Sequence, residues 1–367
     1  MRLLPRRHGI TAGLTLACKV LVALLAATCV LTSCTLTASA RSARAHQRAS
    51  AAYEGTSSDS AAKPTLRVVT TVFASYDFAR EILGTAHNVT MLLQPGVEVH
   101  SYEPTVRDIL TLHQADVFIY VGGESDTWLE KVLSSIDTSQ MRIIRLVDCV
   151  DLLDEHGFDE RGAVATDVSS STSAFNVSGS DNSPGSRGGV DLEFDEHVWT
   201  TPSNAKRIVE VLTHVFMQLD PSHASAYLGN AKAYCAKLDA LDARFRHIVA
   251  SAQRTTLVFG DRFPFRYLAE EYGLTCYAAF SGCSSATDIN ARTISFLINT
   301  VRSEAIPVVF YVGLTSHRIA DAICEETGAM ILPLHACHTV SKEDFEAGVN
   351  YLDLMERNAL NLERALL

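Results

Sequence analysis

A chain of 367 residues exceeds one ordinary domain and has room for one large core or two modest ones. Apolar residues make up 47% and charged residues 20%, which excludes a fibrous or mostly disordered chain. The formal net charge of −11 argues against a nucleic-acid partner, which needs a basic face.

The N-terminus opens with basic "MRLLPRRHGI" and continues into mostly apolar "TAGLTLACKVLVALLAATCVLTSC", broken by Lys19. A basic stretch, an apolar stretch and then small residues predict an export signal over residues 1–33. The apolar run after Lys19 is about half of the ~20 residues a membrane-spanning helix needs. "VLTSC", residues 30–34, resembles a bacterial lipobox, with Leu31 three residues before Cys34 and Ser33 directly before it. On that reading Cys34 becomes the lipidated first residue of the mature chain. Cleavage after "ASA", residues 38–40, is the alternative. Loss of residues 1–33 removes four basic residues and no acid, so a lipid rather than a basic patch would hold the chain to a membrane.

Nine cysteines are present, and six remain once Cys18, Cys29 and Cys34 are set aside. An exported chain meets oxidising conditions that permit pairing among them. No CxxC spacing occurs, which argues against a thiolate zinc knuckle.

Residues 34–64 are rich in Ala, Ser, Arg and Thr and predict a flexible tether. From Thr65 strands and helices alternate. "TLRVVTTVF" is a β-branched run, and "SYDFAREILG" shows helical spacing stopped by Gly84. "HNVTMLLQPG" reads as a strand, "EPTVRDILTLHQA" as a helix, "DVFIYVGG" as a strand and "DTWLEKVLSSI" as a helix. "MRIIRLVDCVDLL" closes an N-terminal lobe, 65–220, which carries a Ser/Gly/Asn-rich insertion over 165–191. A linking helix is predicted over 221–253, with Tyr227, Tyr234, Leu238, Leu241, Phe245 and Ile248 along one face. Alternation resumes through a C-terminal lobe, 254–367, and the tail from Ser341 reads as one long amphipathic helix opened by a Ser341–Asp344 cap. The expected fold is α/β: two Rossmann-like lobes, each a parallel sheet wrapped by helices, joined by a long spine helix.

Several polar residues fall at the C-terminal ends of predicted strands or just beyond: His100, His197, Asp261 and His335. Open α/β sheets bind ligands at that end, so two facing lobes would bring all four to one cleft. Neutral imidazoles with a carboxylate suit zinc, whereas manganese favours more oxygen. Each residue alone also fits an ordinary role. "DEHVWTTP" can lead into a helix with Trp199 filling core, His338 can lie on the surface, and Asp261 can pair with Arg262. No HExxH, GxSxG or phosphate-binding glycine loop is present.

From Thr65 onward the chain resembles the cluster A-I substrate-binding proteins of bacterial zinc and manganese ABC importers. "PGVEVHSYEPT" resembles the family's first metal histidine, at His100, and "DEHVWTTPSNA" the second, at His197. "YLGNAKAYCAKLDALD" is similar to the start of the family's spine helix. The resemblance implies a metal site in the interlobe cleft. The pattern then departs: the region of the third histidine reads "FGDRFPFRYLAEEYGL", and the loop of the usual aspartate reads "LPLHACHTVS". One assignment swaps the roles, with Asp261 supplying the carboxylate and His335 an imidazole. The other places Arg262 at the third position and leaves three ligands, joined by water or His338. Both put Cys337 in the ligand loop, with Cys283 in "FSGCSS" its expected disulfide partner. The insertion lacks the histidines of zinc-gathering loops, leaving Asp154, Glu155, His156 and Asp159 for any accessory site.

The resemblance implies a lipid-anchored, monomeric extracytoplasmic receptor, in the periplasm or on the outer face of the cytoplasmic membrane. It would capture Zn²⁺ with high affinity and pass it to an ABC permease and its ATPase, without catalysis and without nucleic acid. The rivals are a Mn²⁺ or Fe²⁺ receptor of the same fold, an exported metallohydrolase with a zinc on His100, His197 and His335 and Asp261 as base, and an adhesin role.

Overall fold

The computed structural model describes residues 66–84, 88–97, 102–154, 163–164, 194–280, 282 and 291–367. The expected signal segment, tether and insertion, together with Cys34, His100, Glu155, His156, Asp159 and Cys283, lie outside the described residues.

The first lobe is built on strands β1 (Arg67–Thr70), β2 (Asn88–Met91), β3 (Val117–Tyr120) and β4 (Arg142–Arg145). All pair in parallel, in the order β2-β1-β3-β4. Alternate residues of a strand face opposite sides of a sheet. Val68 therefore enters the central core, while its neighbour Val69 packs outward with Leu112, Phe118 and Leu129. A sheet apolar on both faces has to be covered on both. Helix α1 (Phe73–Leu83) covers the inner face, and α2 (Val106–His113) and α3 (Leu129–Leu133) contribute Leu112 and Leu129 to the outer one. Gly84 ends α1 at φ +79, where a side chain would be strained.

Two helices follow. α4 (Pro202–Leu219) starts from a Thr201 cap with proline in its first turn, and α5 (Ala224–Ala250) runs 27 residues, about 40 Å. The six residues expected on one face of α5 are all buried.

The second lobe has strands β6 (Thr256–Phe259), β7 (Thr275–Ala278), β8 (Val308–Val312) and β9 (Met330–Leu334), with helices α6 (Arg266–Tyr272), α7 (Ala291–Ser303) and α8 (Arg318–Thr327). These four strands are parallel in the order β7-β6-β8-β9, which repeats the first lobe's connectivity. The two-residue strand β5 (Ala163–Val164), which precedes the linking helix, adds antiparallel to β7.

The tail corrects one expectation. It is two helices, α9 (Lys342–Glu346) and α10 (Tyr351–Leu366), not one. Gly348 turns the chain at φ +78, and Asn350 and Asp353 form a reciprocal capping box that restarts the helix. The first turn of α10 also donates Tyr351 N–H to the buried carboxylate of Asp77 on α1, at 3.0 Å.

One apolar cluster runs through both lobes without a break, from Val68 and Phe78 through Tyr234 and Phe245 to Phe310 and Leu362. Backbone bonds also cross between the lobes. The first N–H groups of α1 have no partner inside their own helix. Here Phe73 donates to the His338 carbonyl at 2.7 Å and Ala74 to that of Cys337 at 3.1 Å. Continuous packing plus capping across the junction holds the lobes as one compact body.

Candidate metal centre

The loops that follow β2, β6, β8 and β9 converge, with the segment before α4, on an open cleft of ≈ 630 Å³. This is the carboxyl end of both sheets, where ligands of open α/β folds bind. His197, His335 and His338 all line it, together with Arg262. The described chain that leads toward His100 also reaches it, through Gly96 and Val97.

His197 sits in a tight turn ahead of α4. Asp195 Oδ1 accepts both the His197 backbone N–H, at 2.7 Å, and its ring Nδ1–H, at 2.8 Å. That bond fixes the tautomer and makes Nε2 the nitrogen able to take a metal, as carboxylate partners do for metal-bound histidines. The Asp195 carbonyl is in turn held by the Tyr267 hydroxyl at 2.9 Å. Both Asp195 and His197 are buried.

His338 approaches from the other lobe, in the loop after β9. Its ring meets that of His197 edge to face, with centroids 4.5 Å apart, and packs on Trp199 at 4.9 Å. The Trp199 indole N–H donates to the Ala336 carbonyl at 2.7 Å, and Tyr351 donates its hydroxyl to the Trp199 carbonyl at 2.6 Å. Cys337 takes a left-handed φ of +57 in the same loop, which costs a non-glycine residue energy and is kept by these surrounding bonds. Its thiol is free and buried, which pushes its pKa up, so it is a poor thiolate ligand.

His335 is clamped by Asn358 of α10. The amide accepts the His335 N–H at 2.7 Å and donates to its carbonyl at 2.8 Å. Gly313 makes room for the ring, since a Cβ there would lie 2.7 Å from Nδ1. Burial, aided by the charge of Arg357, holds the His335 pKa below the ordinary histidine value and keeps the imidazole neutral, as a ligand must be.

Asp261 is placed differently. Its Oδ2 accepts Val312 N–H at 3.0 Å and the Thr315 hydroxyl, and its Oδ1 accepts Arg262 N–H at 2.7 Å. The carboxylate ties the loops after β6 and β8 together.

One residue went unmarked in the sequence. Glu196, His197 and His338 place one ligand-type atom each within 4.8 Å of one another, all three buried. Neighbours in an extended strand point to opposite sides. The turn closed by Asp195 is what puts Glu196 and His197 on one ion-sized spot, and the "DEH" triplet was the available signal.

Fold and site together define a two-lobed binding protein with a histidine-lined cleft at the carboxyl ends of paired α/β sheets. Residues 68–365 match the family of the periplasmic component A of zinc-uptake complexes, and the chain belongs to that family. It is 29% identical over 299 residues to a zinc-binding lipoprotein of Streptococcus pneumoniae, covering 82% of this chain and 55% of that protein. The chain thus spans about half the length of that relative. It is 27% identical over 302 residues to the high-affinity zinc uptake system protein of Bacillus subtilis, covering 82% and 88%. The crystal structure of the Zn(II)-bound ZnuA-like domain of the pneumococcal protein superposes with a TM-score of 0.64 at 26% identity, covering 83% of this chain and 99% of that one.

Proposed function

We propose that this protein captures Zn²⁺ in the interlobe cleft and delivers it to an ABC-type importer. The observation that carries the reading is the meeting of His197 and His338, from opposite lobes, at 4.5 Å between ring centroids. His335 adds a third imidazole on the same cleft, and His100, which follows β2 in the sequence, would be a further donor. Imidazole-rich surroundings favour zinc over manganese, which seeks oxygen. Asp261 acts as a loop tie rather than a ligand. The partners are a permease and its ATPase, and Cys34 carries the lipid that keeps the monomeric receptor in the periplasm or on the outer face of the cytoplasmic membrane. Its work is binding and release rather than turnover. The zinc-uptake relatives and the family match support this reading.

The test is metal content by mass spectrometry after purification without added metal, followed by chelator-competition titration. One tightly held zinc per chain is the expected result. A stoichiometric manganese or iron signal would overturn the zinc assignment.

A further inference from the structure

We propose that Glu196 is the carboxylate ligand of this zinc site, completing the pair His197 and His338; the assignment rests on the zinc reading above. The donor atoms of the three residues already lie within 4.8 Å of one another. Ligands of a tetrahedral zinc at about 2.0–2.2 Å stand roughly 3.3–3.6 Å apart, so only a small contraction is needed.

The fold builds a seat for this carboxylate. A Cβ on Gly123 would lie 2.2 Å from Glu196 Oε2, so a residue without a side chain is what lets Glu196 fold against that loop. Ser125 donates its backbone N–H to Oε2 at 3.1 Å and its hydroxyl to Oε1. Each carboxylate oxygen accepts two bonds, so one direction on each is left for a metal. The other nearby acids are already used: Asp195 holds His197, and Asp261 holds the loops after β6 and β8.

The charge balance points the same way. Asp195 and Glu196 are 2% and 1% exposed, and among the described residues no lysine or arginine forms an ion pair with either of them. Asp126 is an electrostatic neighbour of Glu196, and its carboxylate is spent on the N–H groups of Val121 and Gly122, both at 2.8 Å. Buried negative charge without a cationic partner is costly. A dication held by Glu196 and His197 offsets it. The resulting donor set of imidazoles plus one glutamate is a common zinc combination.

The experiment compares Glu196→Gln with Asp195→Asn in chelator-competition titrations with zinc. Loss of an outer partner typically costs roughly 10- to 100-fold in affinity, which is the expectation for Asp195→Asn, and Glu196→Gln is expected to lose more than that. Difference infrared spectra of the wild-type chain should show a carboxylate band that moves on zinc addition, and that change should vanish in Glu196→Gln. If the wild type binds zinc and no carboxylate band moves, or Glu196→Gln binds as tightly as wild type, the ligand assignment falls while the zinc reading stands. If the wild type itself takes up no zinc, both fall.

Discussion

The two lobes share a strand order and divide the labour at the cleft unequally. The first lobe supplies a rigid acidic seat: Asp126, Asp195 and Glu196 are buried around His197, with their oxygens fixed by backbone N–H groups. The second supplies His335 and His338 on a strap after β9, held by carbonyl and amide bonds to α1, Trp199 and Asn358. One topology thus serves once as an electrostatic anchor and once as an imidazole clasp. The difference arises in loops beyond the strands, which the shared sheet positions without prescribing.

The most direct way to break the comparison is to remove one imidazole from each side. His197→Ala and His338→Ala should each lower zinc affinity by more than the roughly 100-fold upper range for outer partners, read by chelator competition. If only one of them matters, the site belongs to a single lobe.

A second test concerns the junction. Burial raises the Asp77 carboxyl from the ordinary aspartate value of 3.8 to about 6, while Tyr351 N–H and the Tyr234 hydroxyl favour its charged form. With the folded pKa above the unfolded one, this group opposes folding most above pH 6, and its penalty fades as pH falls from 6 toward 4. At about 1.4 kcal/mol per unit the penalty at neutral pH is roughly 3 kcal/mol. Asp77→Asn should therefore be at least as stable as wild type at pH 7.5, and the wild-type-minus-variant difference in urea-unfolding free energy should grow in favour of the wild type on acidification to pH 5. A difference independent of pH would remove the charge from the account.

Trp199→Phe sharpens the role of the strap. It leaves the buried Ala336 carbonyl without its indole donor, a loss of about 1–3 kcal/mol. Urea unfolding should report that cost, and zinc affinity should fall with it because His338 packs on the same ring. The smallest effect is expected at Asn350→Ala, where loss of the α10 cap costs about 1 kcal/mol and leaves zinc affinity near wild type. Thermal unfolding with and without zinc checks both halves.

Much of the fold was legible because burial on both faces writes itself as β-branched runs and helical periods, as in "RVVT" and along α5. The break in the tail was hidden by a continuous amphipathic pattern, although Gly348 and the Asn350–Asp353 pair carried the signal for it. In the site, His197 and the loop of His335 and His338 could be marked from their places after strands. Asp261 drew attention as a carboxylate, yet its oxygens serve the Val312 and Thr315 loop. That depends on a pairing 51 residues away, which no local pattern encodes.

The sequence by itself determined the alternation, the lobes and the histidine-bearing loops, because these follow from local periodicity and turn chemistry. Only the tertiary structure decided which carboxylate faces the imidazoles. Glu196 meets His338 because two lobes pack through one core, and an approach to within 4.8 Å between residues 142 positions apart in the chain exists only once that core has formed.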